Sequence, residues 1–171
     1  MVAPNDDPKK PAEDEENALI PRAPLLEDLV KICRWLNERG ARYLVIGGMA
    51  MIRLGFTRAT EDIDLLVETS PQNEAQVIDA LAQLEDHAAR ELRPGEIGQH
   101  EVIRVADELV IDLMGKACGF SYEQAQSGIE WQEIDGVSIP FASAQLMLEL
   151  KKSIREKDTL DRGFLLALLK K

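Results

Sequence analysis

The chain has 171 residues, the size of one ordinary domain, with 20 Lys and Arg against 31 Asp and Glu and a formal net charge of −11. Hydrophobic residues make up 45% and charged residues 30%, a mixture able to fill one core, and two large domains are excluded. The acidity excludes a general DNA-coating role, which needs surplus Lys and Arg to neutralise phosphates, but not an RNA or nucleotide held through metal ions.

Residues 1–23 read as a disordered acidic tail. Asn5-Asp6-Asp7-Pro8-Lys9-Lys10-Pro11 runs into Glu13-Asp14-Glu15-Glu16, too polar to offset the entropy of ordering. Residues 24–171 read as a single domain. Leu26, Leu29, Val30, Cys33 and Leu36 recur at helical spacing over 24–38, and Gly40 stops that helix. Arg42 to Ile46 is a buried strand closed by Gly47-Gly48, and a short helix runs through Met49, Ala50, Ile52 and Leu54 to Gly55. Asp62 to Val67 is the next strand. Ser70-Pro71 opens a helix in N-cap then N1 order, with Val77, Leu81 and Leu84 inward.

Strands are expected at 101–105 and 109–113 around a hairpin-length connection, Ala106-Asp107-Glu108. A smaller pair, 131–134 and 137–139, is joined by Asp135-Gly136, a type I′ turn signal, and ended by Pro140. Trp131 and Phe141 flank it as core residues rather than as a base-stacking platform. Ser143 caps a helix through Leu146, Leu150 and Ile154. A last helix carries Leu160, Phe164, Leu165 and Leu168. The expected class is therefore α/β (α+β), a mixed sheet flanked by helices with more helices at the C-terminal end. Cys33 and Cys118 are too far apart for a disulfide framework or zinc knuckle and fit a reducing compartment. With no apolar leader and no run long enough to span a bilayer, the expected location is cytoplasmic, away from membranes.

Chemistry concentrates in three places. Gly47-Gly48, between an apolar strand and a helix, forms either a tight turn or an anion-binding site. Asp62 and Asp64, at i and i+2 of one strand, point to the same face while Ile63 and Leu65 face the core. Asp112 lies in the otherwise apolar strand Leu109-Val110-Ile111-Asp112-Leu113, where a lone carboxylate is costly to bury. If the two strands are neighbours, three carboxylates share one patch. Without cations they repel and shift one another's pKa upward; with two Mg²⁺ they suit in-line displacement at a nucleotide phosphate. His87 and His100 lack zinc-site spacing and read as surface residues.

The runs Leu44-Val45-Ile46-Gly47-Gly48-Met49-Ala50 and Arg58-Ala59-Thr60-Glu61-Asp62-Ile63-Asp64-Leu65 resemble the nucleotidyltransferase superfamily that includes DNA polymerase β. They are most similar to small bacterial nucleotidyltransferases, among them the toxins of type IV toxin–antitoxin pairs. The segment Lys151 to Asp161 is similar to the C-terminal Lys…Arg-x-Lys-Asp-x-x-Asp motif of that group. The resemblance implies an Mg²⁺-dependent enzyme with two ions that moves an NMP from an NTP to an RNA, protein or small-molecule acceptor, with a cognate antitoxin as partner if it is a toxin. It implies Asp62, Asp64 and Asp112 as metal ligands, with Asp112 positioning or deprotonating the acceptor hydroxyl, and Gly47 and Gly48 around the triphosphate. Arg58 is then a phosphate contact or a partner of Glu61. Lys151 and Arg155, four apart on one helix face, reach the β- and γ-phosphates or form a solvated basic face beside Asp158. A large RNA acceptor requires Arg90, Arg93, Arg104, Lys116 and the C-terminal lysines to gather on one face. The alternative is a module of the same fold that holds a nucleotide or partner without turnover.

Overall fold

The computed structural model describes residues 20–152 and 156–171; the tail expected at 1–23 falls mostly, and the site residue Arg155 and helical position Ile154 wholly, outside them. In chain order the elements are α1 (Leu26–Glu38), β1 (Tyr43–Ile46), α2 (Gly47–Arg53), β2 (Asp62–Val67), α3 (Pro71–Leu81), β3 (Ile103–Ala106) and β4 (Val110–Met114). A two-stranded ribbon, β5 (Lys116–Ala117) and β6 (Phe120–Ser121), leads to α4 (Tyr122–Ala125). The chain continues with β7 (Ile129–Ile134), β8 (Val137–Ala142), α5 (Ala144–Leu150) and α6 (Glu156–Leu168).

Among the described residues six strands form one mixed sheet in the order β3-β4-β2-β1-β8-β7. β2 pairs with β4, and β1 with β8, in parallel; the other pairings are antiparallel. The core runs through the sheet and α1: Leu29, Ile32, Leu36, Leu44, Ile63, Leu65, Ile111 and Leu113 are all fully buried. Ser70 Oγ accepts the Asn73 N–H at 3.3 Å, so α3 starts on the expected cap with Pro71 at its first position. Asp135 and Gly136 both have positive φ, +50° and +73°, as the I′ turn between β7 and β8 requires.

Several expectations need correction. Pro140 does not end its strand; it lies inside β8 opposite Trp131. Among the described residues β8 pairs with β1 through the parallel bridge Val45–Phe141, which draws no N–H from position 140, so proline is tolerated there. Trp131 is not core: among the described residues β7 is the sheet edge, and Trp131 is 62% exposed, whereas Phe141 one strand inward is fully buried. The long hairpin also shifts. Its strands sit at 103–106 and 110–114, because Asp107, 1% exposed, accepts the N–H groups of Asp86, Ala88 and Glu108 and holds the turn one position later. At the other end of the described chain, Arg22 bridges to Leu109 and pairs with Asp28 through two 2.7 Å contacts, which anchors the entry to α1. Among the described residues no helix is long and apolar enough to cross a membrane.

Candidate active site

The sheet register writes the site as one row. Ile46 pairs with Asp64, Asp64 with Asp112, and Asp112 with Arg104, across β1, β2, β4 and β3. Directly paired side chains in a sheet share a face, and Asp62, two residues along β2 from Asp64, joins them. One carboxylate oxygen from each of Asp62, Asp64 and Asp112 lies within 4.8 Å of the other two. The expected convergence of the three acids is therefore present.

Electrostatics divide the three unequally. Arg104 Nε and Nη2 donate to the two oxygens of Asp112 at 2.9 and 2.8 Å, and Nη2 reaches Asp62 Oδ2 at 3.3 Å. The Asp112 carboxylate holds the guanidinium still more firmly protonated. Among the described residues Asp64 has no such guanidinium partner. Burial, then the neighbouring charges of Asp62 and Asp112, push its pKa up to about 6, against the opposing pull of Lys151 and a hydrogen bond from the Gly48 backbone. A clustered, oxygen-only donor set with one carboxylate outside the arginine's reach suits a hard divalent cation, so these residues fit Mg²⁺.

Both glycines are enforced by close approach. A Cβ on Gly47, where φ is +63°, would fall 1.9 Å from Asp64 Oδ2; one on Gly48 would fall 2.4 Å from Thr60 Oγ1. They begin α2 against the carboxylates and line a cavity of about 800 Å³. Arg58, Lys151 and Lys157 line the same cavity. Arg58 pairs with Asp161 at 2.6 Å rather than with Glu61. Lys151 lies just past the end of α5 rather than on a helix face, and its ammonium is buried between Asp158 at 3.2 Å and Asp161 at 2.9 Å rather than solvated.

A further stretch of the cavity wall comprises Gln99 to Val102, Arg104 and residues 114–119, with Cys118 Sγ donating to the Leu150 carbonyl at 3.0 Å beside Lys151, and His100 exposed as expected. Glu74, fully buried on α3, fixes that wall by accepting the N–H groups of Gly95, Ile97 and Gly98 at 2.5, 3.1 and 3.0 Å. Sequence reasoning missed Arg104, Lys157 and Glu74 as site residues. Arg104 comes opposite Asp112 only because the turn lies one residue later than expected.

No curated protein sequence matches the chain. Among solved structures, the lincosamide antibiotic adenylyltransferase LnuA, lincomycin-bound, is similar at 16% identity and TM-score 0.57, covering 86% of this chain and 99% of that one. A candidate nucleotidyltransferase from Thermotoga maritima is similar at 16% identity and TM-score 0.51, covering 85% and 92%. An antigenic nucleotidyltransferase-like protein from Paracoccidioides brasiliensis follows at 14% and 0.54, covering 88% and 78%. At these identities the likeness establishes the fold. Residues 25–161 match the family described as "Nucleotidyl transferase of unknown function (DUF2204)". The chain spans most of its length within that match and so belongs to this nucleotidyltransferase family.

Proposed function

We propose that the protein transfers an NMP from an NTP to a hydroxyl of a small-molecule acceptor, with Asp62, Asp64 and Asp112 holding two Mg²⁺ ions. The observation that carries this reading is the convergence of three carboxylates beside a glycine-edged cavity with a basic wall. Bound there, the ions would lower the pKa of the attacking hydroxyl and hold the triphosphate and departing pyrophosphate. Gly47 and Gly48 keep the α2 backbone close to the carboxylates, leaving no side chain between them and the phosphates. Lys157 supplies positive charge for the β- and γ-phosphates, while Arg58 and Lys151 line the same cavity from an ion-pair cluster with Asp158 and Asp161 and would have to turn part of their donors to the phosphates. Asp112 orients the acceptor hydroxyl or takes its proton as the oxygen attacks the α-phosphorus and the bond to the β-phosphate breaks.

A cavity of about 800 Å³ lies in the range of small-molecule sites. The net charge of −11 opposes a large RNA acceptor, and Arg104 is turned onto Asp62 and Asp112 rather than joining a basic face. The lincosamide adenylyltransferase of the same fold acts on a small acceptor. A toxin acting on tRNA with a cognate antitoxin would use the same chemistry, but motif order alone supports it. Three clustered acids also speak against a non-catalytic module, because such a cluster is costly without cations.

Transfer of α-labelled nucleotide to a panel of hydroxyl-bearing small molecules, total RNA and protein tests the reading. Label is expected in the small-molecule fraction, and both Asp62→Ala and Asp64→Ala lower it at least about a hundredfold, since even residues that only orient metal ligands cost up to that much. Label that persists in both variants rejects the site.

A further inference from the structure

Arg104 takes up both oxygens of Asp112 and reaches Asp62, two of the three carboxylates that converge on the cavity. The contact is set by the backbone, because Arg104 and Asp112 are directly paired across β3 and β4. Two features make it releasable. Among the described residues β3 is the edge strand of the sheet, and the Arg104 side chain is 60% exposed, so the guanidinium can leave without disturbing the core. A monovalent guanidinium under 3 Å from a carboxylate oxygen and a divalent ion on the same carboxylates would repel at short range.

We infer that Arg104 is the built-in counter-ion of the carboxylate cluster: it holds Asp62 and Asp112 together while no divalent cation is present, and it must give them up for the cation to bind. This rests on the cation reading proposed above. Arg104 is then a positioning residue that sets how tightly the site takes metal. An ordinary structural salt bridge predicts the opposite sign, because losing it would let Asp112 wander and weaken binding.

The test is Mn²⁺ binding to the full chain without nucleotide, followed by the electron paramagnetic resonance signal of free Mn²⁺. Arg104→Gln is expected to bind Mn²⁺ about three- to tenfold more tightly than the wild type, the range for releasing a charge-assisted contact at a half-exposed site. Arg104→Lys, which keeps the charge but not the two-pronged geometry, falls between them. In EDTA, Arg104→Gln melts below the wild type, and saturating Mn²⁺ raises its melting temperature by more. Equal or weaker Mn²⁺ affinity in Arg104→Gln overturns the inference while leaving Asp64-dependent nucleotide transfer standing. Mn²⁺ bound by none of the three proteins overturns both the inference and the metal-dependent function.

Discussion

Between Gly47 and Asp64 there is no room for one more carbon, and the backbone at Gly47 is left-handed besides. Gly47→Ala is therefore expected to destabilise the fold by about 1–2 kcal/mol from conformation alone and to displace the Asp64 carboxylate, so transfer falls further than stability; denaturant melts and turnover measured on the same sample separate the two. Asp64 itself gives a pH signature. Its folded pKa of about 6 lies above the ordinary aspartate value of 3.8, so between those values the folded state binds more protons than the unfolded one. Stability then falls as pH rises from about 4 to 6, on the order of 1.4 kcal/mol for each pH unit crossed, and the loss persists above. In EDTA, Asp64→Asn should lack that loss: its advantage over the wild type grows from about pH 4 to 6 and levels off above about 7 in urea melts. The Asp-x-Asp pair was legible because a two-residue period assigns a face without knowing any neighbour. Arg104 was not, because its role depends on a partner eight residues away and on a turn whose position is set by the buried Asp107 carboxylate.

At the level of elements, local signals were legible wherever they were self-contained. The Ser70 cap, the Asp135-Gly136 turn and the apolar faces of α1 and α3 need only their own residues. Pro140 and Trp131 misled for one shared reason: whether a strand tolerates proline or exposes an indole depends on which strands lie beside it, and the parallel placement of β8 next to β1 is a long-range fact. The loop at 95–98 shows the same dependence, since its backbone is tied to Glu74 from another element. Glu74→Gln replaces an acceptor by an amide that turns a donor toward those N–H groups. The expected result is a loss of about 1–3 kcal/mol in urea denaturation and a raised KM for the acceptor, with kcat changed less.

For the molecule as a whole, the cysteines and the final helix report how it is put together. Cys33 is fully buried, and desolvation pushes its thiol up to about 12, whereas Cys118 is exposed on the cavity wall. Titration with an aromatic disulfide should therefore find one reactive thiol in the native protein and two after unfolding. Asp161, 1% exposed on α6, takes Arg58 from the loop after α2 and Lys151 from the end of α5. Asp161→Ala leaves both cations without that partner and is expected to cost about 3–5 kcal/mol, read from denaturant midpoints. One carboxylate on α6 thus joins cations recruited from two earlier segments, so this cluster cannot assemble before α6 has been translated. A ribosome stalled short of α6 would display the carboxylate cluster with Arg58 and Lys151 still lacking the acid that joins them.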